Sequence, residues 1–349
     1  MKKIDIQKEL NIKPVKIYKE VLDPDMVYIP VSSGANINNT YVYKDSVIDG
    51  VSLPISGFIV NKVLIKNREY YCISNDFKEL SLNQNREPLN RDYMTTRLPN
   101  LDKIFTSNIK SLYINTIDQD PYIFNKYFML KNDAEKIINT IEILINTMNL
   151  DSVYLVVVSQ NEELISEYLN NTTTNRLKLK IVNNYYPIGN PKVLESELNL
   201  DSNSKLVDLE YILKIYKTIL KRQSLTEKNI TINGNALEEG VTLKVKLYTK
   251  LSDYFKYIKI KERNYEIILN NSLCGPKVRE DMIITSNLEG VIINKVVDEE
   301  SSPCIYCGLC NLVCPMHINP LKRNSKCINC GLCNFVCPSK IRNSGDSNE

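Results

Sequence analysis

Eight of the ten cysteines in this 349-residue chain fall in two short runs near its end. Cys304, Cys307, Cys310 and Cys314 are followed by Pro315, and Cys327, Cys330, Cys333 and Cys337 by Pro338. Both runs read C-x2-C-x2-C-x3-C-P. Thiolates at this density serve soft metals. Disulfides are a poor reading, because a cytosolic chain keeps its thiols reduced. Zinc ribbons use two separated C-x2-C pairs, which three cysteines at steps of three do not match. Cubane iron–sulfur clusters, each taking four thiolates, suit the pattern.

The spacing is that of bacterial two-cluster ferredoxins, in which the first three cysteines of a run hold one cluster and the fourth crosses to the other. On that rule Cys304, Cys307 and Cys310 join Cys337 around one 4Fe-4S centre. Cys327, Cys330 and Cys333 join Cys314 around the second. Gly308 and Gly331 follow the second cysteine of each run, where the backbone must pass close to inorganic sulfide. The prolines are expected to end each wrap before a short helix. His317, the only histidine, reads as a surface or outer position. Cys72, in "REYYCIS", reads as a small buried hydrophobe on a strand, and Cys274, in "NSLCGPKV", as a turn residue.

The elements that must position these runs come from the rest of the chain, which at 43% hydrophobic content has enough apolar residues for two or three cored domains. Forty-four cationic and 41 anionic residues leave a net charge of +3, with no basic field to attract nucleic acid. The first residues, "MKKIDIQKELNIKPVKIYKE", hold no apolar signal core, and no stretch approaches the roughly 18 apolar residues of a membrane span. A cytoplasmic protein is expected, with peripheral membrane association left open.

Residues 26–65 alternate apolar and polar positions around Gly34, Gly50 and Gly57, which predicts a small antiparallel β unit. "KSLYIN", "SVYLVVVS" and "LKLKIVN" read as strands, alternating with a helix capped by Asn132 and Glu135 and a second over "EELISEYL". A further helix is expected from Lys205 to Arg222, then two strands around Gly234 and Gly240, and a strand pair over "DMIITSNLEGVIINK". The expected fold is α/β multidomain. It comprises an N-terminal barrel-sandwich-like β unit with its loop region (1–105) and a Rossmann-like α/β domain (106–204). A helix plus β-grasp module (205–270), connecting strands (271–300) and a two-cluster ferredoxin domain (301–349) complete it.

In this order the segments "PISGFIVNK", "DPY" at Asp120 to Tyr122, "AEKIINTIEILINTMNLDSVYLVVVSQN", "YYPIGNPKVL", "ITINGNAL", "CGPK" and the paired cysteine runs resemble the C subunit of the Rnf electron-transport complex. They also resemble its soluble relatives, including the electron-transfer protein associated with proline reductase and the corrin reductase of propanediol metabolism. The resemblance implies an SLBB module around "ITINGNAL" and a glycine-rich loop holding FMN and admitting NADH. This chain departs there: no glycine lies between Gly57 and Gly189. The loop position reads "RDYMTTR", where Arg91 or Arg97 could meet a phosphate but no glycine nest could form. Asp118, Asp120 and Tyr122 stand as relics of a flavin or nucleotide site. Tyr248 occupies a position where the family favours glycine.

NADH gives up two electrons as hydride, a 4Fe-4S cluster accepts one, and a flavin normally bridges the mismatch. The expectation is therefore an iron–sulfur protein passing single electrons from a redox protein donor to a partner reductase, of the proline reductase-associated type, without FMN and without direct NADH dehydrogenase activity. The alternatives are an NADH-dependent FMN/iron–sulfur oxidoreductase with an unusual loop, and a peripheral component of an Rnf-like membrane complex. Lys322, Arg323, Lys326, Lys340 and Arg342 flank the cysteines and read most simply as a solvated face, though they could orient an acidic partner.

Overall fold

The computed structural model describes residues 2–341 apart from residues 5, 7–9, 11, 13–14, 33–36, 38, 82–97, 99–100, 105, 107, 171, 173, 298–299 and 323. Arg91 and Arg97, with the whole "RDYMTTR" stretch, lie outside the described residues, as do Arg323 and Arg342. The protein is mixed α/β with several sheets. Seven strands come first: β1 (Lys16–Leu22), β2 (Met26–Pro30), β3 (Tyr41–Val42), β4 (Val47–Ile48), β5 (Val51–Ser52), β6 (Gly57–Ile65) and β7 (Arg68–Asn75). β2, β7, β6 and β3 form an antiparallel sheet in that order. Its alternating pattern turns Val27, Ile29, Ile59, Tyr71 and Ile73 into one core. Cys72 packs on Tyr28 and Ile283 as a buried hydrophobe.

The next strands are parallel, and the central one, over residues 152–158, is nearly continuously apolar, as burial on both faces requires. A short helix α1 (Leu101–Ile104) leads to β8 (Ser111–Asn115), α2 (Asn125–Thr147), β9 (Ser152–Val158), α3 (Glu163–Asn170), β10 (Leu177–Val182), α4 (Pro191–Leu198) and β11 (Ser204–Asp208). The order is β10-β9-β8-β11. The chain steps outward from β8 to β10, then returns to the other side of β8, so the strand order reverses at β8. Crevices outside the carboxyl ends of parallel strands form at such reversals.

Two sequence expectations change here. The capping box at Asn132 does not form: α2 is already helical from Asn125, Asp133 interrupts it at φ −122°, ψ 17°, and Asn132 Nδ2 donates to the Phe128 carbonyl instead. The helix expected from Lys205 begins later, because residues 204–208 pair with β8 as β11. Asp208 then caps α5 (Leu209–Ile215) by accepting from the Glu210 N–H, and a π turn continues to Leu220.

β12 (Glu227–Asn233), β13 (Val241–Lys246), β14 (Tyr265–Leu269), β15 (Lys277–Val278) and β16 (Gly290–Lys295) build a six-stranded sheet ordered β1-β13-β12-β16-β14-β15, so β1 leaves its sequence neighbours to pair parallel with β13. The strand pair expected over 281–295 is one strand, β16; Ile283 makes only an isolated bridge with Lys250. Tyr248 adopts φ 65°. Its N–H donates to Ile284 and its carbonyl accepts from Tyr28, so it ties the first sheet to the last.

The cysteine-rich end carries two short helices, α6 (Leu309–Val313) and α7 (Leu332–Phe335). They start after Gly308 and Gly331, at φ 74° and 78°, and so precede the prolines instead of following them. A left-handed glycine at each start lets the chain turn straight into a helix. Ile4 and Ile6 pack with Val313, Leu332 and Tyr186, and the Lys2 N–H donates to the Leu312 carbonyl.

Candidate functional site

Cys304, Cys307 and Cys310 of the first run and Cys337 of the second line a single cavity of about 290 Å³, with Cys333 also on its wall. Among the described residues, no three His, Cys, Asp or Glu side chains gather tightly enough for one metal ion. The thiols ring a space. Gly308 borders it with nothing within 4 Å of the position a Cβ would take.

The second run faces the body of the protein. The Tyr186 hydroxyl donates to the Cys330 carbonyl at 2.6 Å, and Asn271 Nδ2 donates to that hydroxyl at 3.1 Å. A Cβ on Gly331 would meet Leu273 Cβ at 2.4 Å. The Cys274 thiol, which spacing alone did not link to either run, donates to the Asn329 carbonyl at 2.7 Å and lies against Gly331. Cys314 is buried, whereas Cys327 and His317 are exposed. The signal for the Cys274 contact was weak, since it depends on a turn meeting a loop 55 residues away.

A second cavity, of about 310 Å³, opens at the carboxyl ends of β8, β9 and β10. Asp118 and Asp120 line it, with Phe124, Tyr127, Tyr185 and Tyr186. Tyr122 does not; it packs between Ile268 and Ile292. Both carboxylates are occupied by the chain itself. Asp118 accepts from the Lys126 and Tyr127 N–H groups at 2.9 and 3.3 Å, capping the start of α2. Asp120 accepts from the Tyr122 N–H at 2.9 Å and from the N–H and hydroxyl of Ser272 at 2.6 and 2.8 Å.

Burial pushes the Asp118 carboxyl up to about 7 and that of Asp120 up to about 6, with these N–H groups pulling the other way. Lys126 is buried beside them: its ammonium meets Asp208 at 2.5 Å and the Ile117 carbonyl at 3.1 Å. Burial works against that charge, and Asp208 and Asp118 more than offset it. Gly189, the one glycine of this cavity's wall, sits where a Cβ would meet the Asp118 carbonyl oxygen at 2.1 Å. It lets the turn before α4 lie directly on the chain leaving β8.

Residues 99–206 match the family described as the Nuo51 FMN-binding domain. The chain is 25% identical over 230 residues to the C subunit of the ion-translocating oxidoreductase complex of Buchnera aphidicola subsp. Baizongia pistaciae, a match covering 61% of this chain and 45% of that protein. It is 23% identical over 222 residues to the C subunit of the proton-translocating ferredoxin:NAD(+) oxidoreductase complex of Clostridium ljungdahlii, covering 59% and 49%. The resemblance to the Rnf C subunit drawn from the sequence motifs is thus borne out, and the chain spans about half the length of the curated relatives it matches. Among solved structures, an NAD+-reducing NiFe hydrogenase in its H2-reduced state aligns over 54% of this chain and 41% of its own, at 11% identity and a TM-score of 0.44.

Proposed function

We propose, for a chain homologous to the C subunits of ion-translocating oxidoreductases over 61% of its length, that it passes single electrons through two 4Fe-4S centres between a redox protein donor and a partner reductase. The observation that carries this reading is the shared cavity: Cys337 comes from the second run yet lines the same space as Cys304, Cys307 and Cys310. Four thiols drawn crosswise from two runs are the donor set of a cubane cluster in a two-cluster ferredoxin. Cys327, Cys330, Cys333 and Cys314 would hold the other. When bound, such centres supply one-electron chemistry; the protein supplies their ligands and their surroundings.

On this reading residues 301–349 form a ferredoxin-type unit, residues 106–204 a Rossmann-like scaffold and the sheet around β12 and β13 an SLBB-like β-grasp module. The protein works in the cytoplasm, and a proline reductase-type acceptor is one fit. No helix among the described residues is long and apolar enough to cross a membrane, which is compatible with peripheral association as well.

A second reading, an NADH-dependent FMN/iron–sulfur oxidoreductase, draws on the cavity at the strand ends and on the match to an FMN-binding family. Its volume of about 310 Å³ is at the small end for ligand sites. Its aromatic walls would suit a flat ring. Among the described residues the phosphate is less well served: Gly189 is closed off by the Asp118 backbone, and two carboxylates, which repel an anion when ionised, line the same space. The first reading is therefore preferred.

The test is a count of iron, acid-labile sulfide and flavin on one anaerobically purified sample, followed by NADH addition under visible absorbance. Two clusters, no flavin and no bleaching support the one-electron carrier. Stoichiometric FMN with bleaching replaces it by the second reading, and absence of iron overturns both.

A further inference from the structure

The two cysteine runs are near-repeats, so Ile328, Asn329, Cys330 and Gly331 of the second match Ile305, Tyr306, Cys307 and Gly308 of the first. Their backbones are held differently. The Cys274 thiol donates to the Asn329 carbonyl, and the Tyr186 hydroxyl to the Cys330 carbonyl. Among the described residues, no side chain donates to the matching carbonyls of Tyr306 and Cys307. A thiol keeps its proton at neutral pH and is a weak donor.

Both donors are fixed by the body of the protein. Asn271 touches each of them: its Oδ1 accepts from the Leu273 and Cys274 N–H groups at 2.9 and 3.0 Å, and its Nδ2 donates to the Tyr186 hydroxyl at 3.1 Å. Asp120 anchors the same turn by accepting from the N–H and hydroxyl of Ser272. A Cβ on Gly331 would lie 3.4 Å from the Cys274 sulfur, so this turn and the cysteine-bearing loop are in contact there.

What this clamp does follows from the peptide plane. A trans peptide directs its N–H opposite its C=O. The donor on the Asn329 carbonyl therefore also fixes the N–H of Cys330, and the donor on the Cys330 carbonyl fixes that of Gly331. The N–H of Leu332, next in line, donates to the Cys330 sulfur. Amide hydrogens beside a thiolate-bound cluster favour its reduced, more negative state, and a carbonyl oxygen turned toward it opposes that state. We propose that Cys274 and Tyr186 are positioning residues of the centre bound by Cys327, Cys330, Cys333 and Cys314, which they make easier to reduce by holding two successive loop carbonyls against the body of the protein. The inference rests on the electron-transfer reading above and adds to it a residue, Cys274, that lies outside both cysteine runs and is not itself a ligand.

The experiment is a redox titration of the iron-loaded protein followed by electron paramagnetic resonance, the second centre being the signal that Cys327→Ser abolishes. Cys274→Ala should keep about eight irons per chain. It should make the second centre harder to reduce by about threefold in the one-electron equilibrium, which is about 30 mV at ~59 mV per tenfold. The other centre in the same molecule should not move. Cys274→Ser keeps a donor and should restore the wild-type potential. Tyr186→Phe should shift the same centre in the same direction, and the double variant further than either. An unshifted second centre at full iron content, equal shifts at both centres, or failure of serine to restore what alanine loses would each overturn the proposal. Loss of about four irons in Cys274→Ala would also overturn it, by making Cys274 a ligand. Wild-type protein that takes up no iron would instead sink the electron-transfer reading, and this proposal with it.

Discussion

Tyr186 joins two sites with one side chain: its ring lines the cavity at the strand ends, and its hydroxyl donates to the Cys330 carbonyl at 2.6 Å. Replacing it by phenylalanine keeps the ring and deletes the bond. Tyr186→Phe is expected to lose about 1–2 kcal/mol of stability in urea unfolding. In the iron-loaded protein, electron paramagnetic resonance should change at one centre only, the one nearer Cys330. An equal change at both would mean that the contact does not distinguish the two runs.

The paired glycines offer a sharper comparison. Both have left-handed backbones, so alanine at either should cost about 1 kcal/mol for conformation alone. At Gly308, measured on the iron-free protein, that should be the whole effect, because no protein atom lies within 4 Å of its Cβ. Gly331→Ala should cost about 2 kcal/mol more, since the new methyl collides with Leu273 Cβ. Equal losses in thermal unfolding of the iron-free protein would contradict the close packing of Leu273 on Gly331.

Ligand exchange between runs predicts which substitutions behave alike. Cys304→Ser and Cys337→Ser should each reduce iron from about eight to about four per chain and abolish the same resonance signal. Cys314→Ser should abolish the other. If Cys337→Ser instead groups with Cys327→Ser, the two runs bind separately and the crossed pairing is wrong.

Lys126 is held inside the protein by Asp208, the Ile117 carbonyl and the nearby Asp118. Methionine at this position would fill similar space and leave the carboxylates without their cation. Removing one partner of a fully buried pair typically costs about 3–5 kcal/mol; the Asp208 side chain is 36% exposed and can be solvated, so Lys126→Met should shift the urea midpoint downward by a smaller amount, about 1–3 kcal/mol. A loss below about 1 kcal/mol would mean that the pair contributes no more than a surface one.

The carboxyls of Asp118 and Asp120 give a pH signature. Each holds its proton more tightly in the folded protein, with values raised from 3.8 to about 7 and about 6. A raised carboxyl contributes stability that is full below its unfolded value and is lost as pH rises through its folded value. Between pH 4 and 7 these two groups therefore lower the unfolding free energy as pH rises, by an amount on the order of a few kcal/mol. Asp118→Asn should shrink that fall, measured as the difference from wild type across a pH series of urea titrations. The variant should gain stability relative to wild type as pH rises from 4 to 7, and a variant that loses ground to wild type over that range would refute the assignment.

Local pattern in the sequence was a good guide wherever local pattern decides structure. The parallel strands were legible as apolar runs, and the cysteine spacing alone pointed to crossed ligand sets. Misreadings occurred where a distant partner outweighed local preference. Residues 204–208 look helical with the run that follows, yet pairing with β8 makes them a strand. Asn132 and Glu135 have capping chemistry, but Asp118, outside the helix, caps it a turn and more earlier. Tyr248, where the resemblance drawn from the sequence implies glycine, has a left-handed backbone, φ 65°, and packs among the apolar clusters of two sheets. The contacts of Tyr186 with Cys330 and of Cys274 with Asn329 join segments far apart in the chain, and no spacing rule could have announced them.

The packing of Ile4 and Ile6 on Val313 and Leu332 also sets a timetable. On a ribosome adding roughly 5–20 residues per second, the two isoleucines emerge on the order of tens of seconds before the residues that cover them. Closing so long a loop costs little extra free energy, because the entropy grows only with the logarithm of its length. The delay is kinetic: the nascent chain must keep a small apolar segment solvated, or shielded by a chaperone, until its cysteine-rich end has been made. The earlier-made of the two segments thus waits on the later one to settle.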